Sequence, residues 1–124
     1  MLRAVVIGAL ALSVAAAVPA AATDGGGAAA GGACDAGSVW GLKAVVLDHG
    51  IGLTYAVHSD APGQVWRVRI GHNGEQIFLG PRKTNEDGNF YVRLRTWNAR
   101  GIDTFRARSV NTETGELCAG GLAL

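Results

Sequence analysis

Arginines at alternate positions are the feature of this sequence best suited to surface chemistry. Arg67 and Arg69 alternate with apolar residues in VWRVRI, and Arg106 and Arg108 do the same in TFRARSV. Residues two apart in a β-strand point to one face, so each pair projects from one side of its strand. Guanidinium groups make forked hydrogen bonds with carboxylates and phosphates. The four arginines are therefore the candidate site for an anionic partner.

A structural interpretation of the same arginines stays open. Their stems can cover apolar sheet surface, and Glu113, Glu116 or other acids can partly neutralise their charges. Exposed ion pairs of that kind contribute little to stability.

The histidines offer little support for a metal site or for catalysis. Asp48, His49 and His72 fall in two turns that could meet, but no H-x-H or H-E-x-x-H spacing accompanies them. His58 and Ser59 are adjacent, and adjacent strand residues point to opposite faces, so they cannot easily share a proton. Asp103 is interpreted as the residue that starts a strand. We predict no metal, no cofactor and no enzymatic activity.

The elements that position these residues are β-strands. From Val39 onward apolar residues recur with period two, and turn residues such as Pro62-Gly63 and Asn73-Gly74 interrupt them. Seven strands are predicted, at VWGLKAVVL, IGLTYAVHS, QVWRVRI, QIFLG, FYVRLRTW, DTFRARSVN and ELCAG. Pro81 is expected to end the fourth of these. The pattern is typical of an all-β antiparallel sandwich.

The N-terminus has the layout of a secretory signal peptide. A basic start at Arg3 precedes an apolar run, Pro19 and an alanine triplet, which predicts cleavage after Ala22. A retained signal anchor is the alternative. Residues 23–33, TDGGGAAAGGA, are predicted to form a flexible leader. Residues 34–124 are then one folded domain, with no stable membrane span after cleavage.

Charge and cysteine content narrow the class of protein further. The chain has 11 Lys+Arg and 10 Asp+Glu, and loss of Arg3 makes the mature chain neutral, so nucleic acid is not an expected partner. The chain has 2 cysteines, Cys34 and Cys118, which in an exported protein predict one disulfide. Lipidation of Cys34 is the alternative, but it would leave Cys118 without a partner.

The second half of the chain resembles bacterial immunoglobulin-like and fibronectin type III-like sandwich domains. The stretches TNEDGNFYV and DTFRARSVNTETG carry the resemblance, and Trp66 matches the buried tryptophan of strand C. The sequence also resembles those of small secreted actinobacterial domains. The antibody-type disulfide is absent, because Ala107 stands where its strand F cysteine would be. The resemblance implies seven strands in two sheets, with strands C and F as neighbours.

Under that resemblance the four arginines share the outer face of one sheet. The expected function is a secreted, non-enzymatic binding or structural module of the bacterial cell envelope, extracellular or associated with the cell wall. Its partner would be an anionic envelope polymer, a glycan or an acidic protein. The alternative is a small-molecule or carbohydrate carrier, with a cleft at the long-loop end lined by Arg82, Lys83, Asn85 and Asn111.

Overall fold

The computed structural model describes residues 26–124, which form eight β-strands joined by turns and loops. The strands are β1 (Gly27–Ala33), β2 (Val39–Leu47), β3 (Gly50–His58), β4 (Val65–His72), β5 (Glu75–Lys83), β6 (Asn89–Thr96), β7 (Thr104–Asn111) and β8 (Leu117–Ala123). In this part of the chain no helix is long and apolar enough to cross a membrane. The predicted signal peptide lies outside the described residues.

The strands pack as two antiparallel sheets of four. Sheet I has the order β1-β2-β3-β6, and sheet II has the order β5-β4-β7-β8. Every neighbouring pair in both sheets is antiparallel. The all-β, sandwich-like class predicted from the sequence is confirmed.

The core lies between the two sheets and follows the predicted alternation. Ile51, Leu53, Tyr55 and Val57 of β3 are all at most 1% exposed. The inward residues of the other strands pack against them: Trp40, Leu42, Ala44, Trp66, Val68, Ile70, Phe90, Val92, Phe105, Ala107 and Leu122. Burial of this apolar surface is the main contribution to the stability of the fold.

The strand count differs from the prediction. Seven strands are expected and the described residues form eight, because Gly27–Ala33 forms β1 in the stretch predicted as a flexible leader. All seven residues of β1 pair with β2. The leader expectation is therefore wrong for residues 27–33. Glycine and alanine give no hydrophobic alternation, so the sequence pattern contains no signal for this strand.

Strand β5 also extends beyond its predicted end. It runs from Glu75 to Lys83 and includes Pro81, which pairs with Arg67 of β4. Because β5 is at the edge of sheet II, a residue without a backbone N–H is tolerated there. The expectation that Pro81 ends the strand is wrong for this reason.

A disulfide joins the two sheets at one edge. Cys34 follows β1 of sheet I, Cys118 lies in β8 of sheet II, and their Cα atoms are 4.4 Å apart. This is the predicted pair, and it closes a loop with a sequence separation of 84. Disulfides of this kind are typical of oxidising compartments, so the bond is compatible with an extracellular location.

A buried carboxylate reinforces the same edge. Glu116 accepts hydrogen bonds from the backbone N–H of Ser38 at 2.8 Å and of Ala36 at 3.1 Å. Its other oxygen accepts from the Ser38 hydroxyl at 2.8 Å. Asp35 bonds the backbone N–H of Leu117 at 2.9 Å. The β1–β2 turn is thereby fixed to the start of β8 by charge-assisted bonds.

Candidate functional site

The four arginines are on one face of sheet II, which we call the arginine face (Arg67, Arg69, Arg106 and Arg108). Strands β4 and β7 are neighbours, and Arg69 lies directly opposite Arg108. Arg67 pairs with Val110, and Arg106 pairs with Gly71. Arg67 is therefore diagonal to Arg108, and Arg106 is diagonal to Arg69. All four side chains are exposed. Opposite Cβ atoms in such a pair are about 5 Å apart.

No carboxylate within residues 26–124 lies within 4.0 Å of any of these guanidinium groups; the one close pair of acidic and basic groups in that range is His72 with Asp103. Glu116 is turned toward the β1–β2 turn. Glu113 instead approaches the backbone N–H of Val65 at 3.4 Å. Partial neutralisation by Glu113 or Glu116, which is one part of the structural interpretation of the arginines, is therefore not observed as a contact.

The charges of the described residues are sorted by position. Every lysine and arginine of these residues except Arg100 lies in a strand. Every acidic residue lies in a turn or loop except Glu75, which is the first residue of β5. The sheet faces are therefore positive and the turns negative, although the chain as a whole has a net charge of +1. A chain with a near-neutral net charge can therefore have a strongly positive local surface.

A shallow groove runs along the arginine face. Its volume is ≈ 440 Å³, and its lining includes Arg69, Arg106 and Arg108. The rest of the lining is mostly small: Gly71, Gly74, Ala107, Ala119 and Gly120, with Gln76 and Thr104. Arg69, Arg106 and Arg108 are exposed, so an anion can reach their guanidinium groups from solvent.

The opposite face of the molecule is also basic but differs in detail. Lys43, Arg93 and Arg95 line a cleft of ≈ 450 Å³ on sheet I. The Arg93 guanidinium lies 5.0 Å from the centre of the Tyr91 ring, which is a cation–π contact. The ring of Trp97, which follows β6, stacks on His72 at 4.2 Å.

The long-loop end forms a cleft of ≈ 670 Å³, but its lining is not the predicted one. Asn111 lines it, together with Ser59, Asp60 and Glu116, among others, whereas Arg82, Lys83 and Asn85 do not. The Asn111 side chain is buried and bonds Gln64 at 2.7 Å. The four residues predicted for a carrier site are therefore not brought together.

Two of these residues have contacts of their own. Arg82 donates to the backbone oxygens of Pro81 at 2.9 Å and Tyr91 at 3.3 Å. Asn85 accepts from the backbone N–H of Asp87 and Asn89, which fixes the β5–β6 turn. These contacts assign both side chains to the scaffold.

A buried histidine–aspartate pair is the feature that the sequence does not predict. His72 Nε2 lies 2.7 Å from Asp103 Oδ1, and its Nδ1 lies 2.8 Å from Thr96 Oγ1. The same Asp103 oxygen accepts the backbone N–H of Ala99 at 2.9 Å. His72 continues the alternate inward positions of Trp66, Val68 and Ile70, so the alternation along the strand could have predicted its burial. The alternation could not have predicted that Asp103 is its partner.

The order hydroxyl, imidazole, carboxylate is that of a nucleophilic triad, but the surroundings are closed. His72 is 0% exposed, and the rings of Trp97 and Phe105 stack on it at 4.2 and 4.4 Å. Both ring nitrogens are hydrogen-bonded, so neither is available to a substrate. The pair holds the β6–β7 loop to the end of β4.

The remaining histidine predictions concern metal binding and a Ser59 dyad. In the described part of the chain, no three His, Cys, Asp or Glu side chains are grouped so that they could hold a metal ion. Ser59 donates to the backbone oxygen of Gly88 at 2.7 Å. His58 is exposed and lies edge-on to Tyr91 at 6.0 Å. Ser59 and His58 have separate structural partners.

The fold and surface together define residues 26–124 as an all-β, disulfide-linked domain with a basic sheet face. No protein-family model matches it, and neither a curated protein nor a solved structure is significantly similar.

Proposed function

We propose that this protein is an exported, non-enzymatic binding domain of the bacterial cell envelope that holds an anionic partner on the arginine face. The observation that carries the proposal is the row of four exposed arginines with no carboxylate of residues 26–124 within 4.0 Å. Guanidinium groups bind carboxylates and phosphates through charge-assisted hydrogen bonds.

The pairing of Arg69 with Arg108 supports a binding role over a purely structural one. Like charges directly opposite on neighbouring strands are destabilising. Stability alone would place an acid at one of the two positions. An anion bound between them would relieve the repulsion, so the cost in stability is offset only when a partner is present.

The sandwich scaffold suits such a surface. The disulfide and the Glu116 contacts hold the β1–β2 turn to the start of β8, and the apolar core fixes the strands that hold the arginines. A preorganised surface loses little conformational entropy when it binds. The adjacency of β4, β7 and β8 supports the proposed relation to immunoglobulin-like domains, whose strands C, F and G form one sheet.

Export and an envelope location are part of the proposal. They are supported by the signal-peptide layout of residues 1–22 and by a disulfide, which persists in oxidising compartments.

The test compares two charge-matched variants. The first replaces Arg67, Arg69, Arg106 and Arg108 with glutamine. The control replaces Lys43, Arg93, Arg95 and Arg100 with glutamine, which removes the same charge away from the arginine face. Binding to immobilised polyglycerol phosphate, polygalacturonate and polyglutamate is measured between low and high salt.

We expect the wild type and the control to bind at least one polymer, with affinity that falls as salt screens the contact. The first variant should bind at least tenfold more weakly and depend little on salt. Equal binding by the two variants would mean that net charge, not the arginine face, holds the polymer, and the proposal would be wrong.

A further inference from the structure

Strand β8 ends sheet II, and β1 of sheet I packs close beside it. At its start, Asp35 bonds both backbone groups of Leu117. Asp103 and Leu124 exchange both backbone hydrogen bonds, at 3.1 and 2.8 Å. In an antiparallel pair such bonded positions alternate, so residues 118, 120 and 122 point their N–H and C=O groups at β7. Ala119, Gly121 and Ala123 point theirs the other way. Because β8 ends sheet II in the described chain, these groups have no neighbouring strand in their own sheet.

Beyond Leu117, the outer edge of β8 lacks the charges, prolines and bulges that normally prevent strand pairing. Strand β8, LCAGGLA, contains no charged residue and no proline, and its register with β7 is regular. The other edge of sheet II is different, since β5 contains Pro81, Arg82 and Lys83. Natural proteins use charges, prolines and bulges to keep edges unpaired. The β8 edge is therefore the side of sheet II suited to an added strand.

This edge borders the arginine face. Arg108 pairs with Ala119 and Arg106 pairs with Gly121, and both β8 residues face the same side as the arginines. The Arg106 Cγ lies 3.5 Å from the position that a Cβ would take at residue 121. The Arg106 stem thus lies against β8, and no side chain on Gly121 stands between its guanidinium group and the edge.

We propose that β8 accepts an extended acidic peptide segment as a fifth strand of sheet II. The inference rests on the proposed function and names its partner class. The peptide backbone would bond the free groups of Ala119, Gly121 and Ala123. Acidic side chains at every second peptide position would face the same side as Arg106 and Arg108. Their backbones would be two strand spacings away, about 10 Å, which an arginine and a glutamate can span together across small residues.

The observations favour a peptide over other anions and over a second copy of this chain. Only a polypeptide supplies N–H and C=O groups at the spacing of a strand. Pairing of two β8 strands from two copies would bring two arginine faces side by side in one continuous sheet. Their like charges would repel each other.

The experiment uses three probes and two proline variants. The probes are the peptide Glu-Thr-Glu-Val-Glu-Thr-Glu, the same peptide N-methylated at alternate residues on its pairing edge, and polyglycerol phosphate. Ala119→Pro removes an outward N–H from β8. Ala29→Pro is the matched control, because Ala29 is an exposed residue on the free edge of β1 in sheet I. Dissociation constants are measured by calorimetry, and backbone amide exchange is followed by NMR.

We expect the wild type to bind the unmodified peptide and to protect the amides of Ala119, Gly121 and Ala123 from exchange. N-methylation and Ala119→Pro should each weaken peptide binding at least tenfold. Polyglycerol phosphate binding to Ala119→Pro should stay within twofold of the wild type, and Ala29→Pro should bind the peptide as the wild type does.

Other outcomes separate this inference from the proposed function. If the N-methylated peptide binds as tightly as the unmodified one, strand addition is wrong while the arginine face still stands. That comparison uses wild-type protein, so it decides the matter even if Ala119→Pro fails to fold. If the free protein forms dimers and Ala119→Pro dissociates them, the partner of β8 is a second copy of this chain and the peptide inference is wrong. Failure of the wild type to bind any anionic probe would overturn the proposed function itself.

Discussion

Trp40 of sheet I packs directly on the backbone of Gly120 in sheet II. A Cβ at position 120 would overlap the six-membered part of the Trp40 indole. The φ of Gly120 is not in the left-handed region, so space alone requires glycine there. The contact brings the two sheets together beside the disulfide, where β8 borders the arginine face.

Gly120→Ala should therefore destabilise the domain. Overpacking of a core costs about 1–3 kcal/mol, and we expect the upper end because the obstacle is a rigid ring. The measurement is urea-induced unfolding with the disulfide intact. Gly41→Ala is the control, since a Cβ at residue 41 meets nothing within 4 Å. A combined Gly120→Ala and Trp40→Leu variant should lose less than the two single costs added together; strict additivity would contradict the contact.

A second prediction concerns alkaline stability. Burial raises the pKa of the Tyr55 hydroxyl from 10.0 to about 12, against the opposing effect of its hydrogen bond with Ser109. The folded protein then keeps a proton that the unfolded chain releases between these values. Stability from this group is complete below pH 10.0 and is lost as the pH rises toward about 12. The loss should be roughly 2–3 kcal/mol.

Urea unfolding of the wild type and Tyr55→Phe between pH 8 and 12 checks this. The variant should be less stable at pH 8, because the buried Ser109 hydroxyl loses its partner at 2.7 Å. Its disadvantage should shrink or reverse by pH 12, since it has no buried phenol to ionise. Tyr91→Phe, a change at an exposed tyrosine, should keep the full alkaline loss because Tyr55 is intact. Parallel curves for the wild type and Tyr55→Phe would rule out the buried hydroxyl as the cause.

A third prediction concerns the His72–Asp103 pair, which lies at the end of the sandwich opposite the disulfide. Asp103→Ala removes the acceptor of both His72 and the Ala99 N–H, and should cost about 3 kcal/mol because a buried polar network loses its centre. Asp103→Asn retains an oxygen that can accept both bonds and should cost clearly less. Asp48→Ala changes an exposed turn residue at the same end and should have almost no effect. If alanine and asparagine at position 103 lower the free energy of unfolding by similar amounts, these hydrogen bonds are not the cause of the destabilisation.

The contrast between predicted and unpredicted features has a physical basis. The alternation of Trp66, Val68 and Ile70 with Arg67 and Arg69 assigns inner and outer faces, because the two-residue period is local. β1 could not be found in this way, since glycine and alanine show no contrast between faces. His72 with Asp103, and Ser38 with Glu116, pair across 31 and 78 positions, and that distance in sequence is closed only by the fold.

The candidate site was predictable in part for the same reason. Parity placed Arg106 and Arg108 on one face, and the proposed strand order placed them beside Arg67 and Arg69. Whether acids neutralise the four arginines depends on where turn residues point. Glu116 is buried by contacts with a turn far away in sequence, which local pattern does not determine.

The last prediction tests the cost of the arginine face. Because Arg69 and Arg108 are opposite each other, Arg69→Gln should raise the free energy of unfolding by about 0.2–1 kcal/mol at low salt. The gain should fade above about 0.5 M salt, where the screening length is only a few ångströms. Arg100→Gln, in the exposed β6–β7 loop, removes the same charge and should not show this gain.

Polymer binding should change in the opposite direction, weakening in Arg69→Gln and not in Arg100→Gln. If Arg69 lowers stability and raises affinity for the polymer, its presence is explained by binding. Selection for stability alone would remove the repulsion between Arg69 and Arg108. If Arg69→Gln is no more stable than Arg100→Gln at low salt, the two guanidinium groups do not repel each other appreciably. The like-charge argument for a bound anion would then fail, even with the arginines on one face.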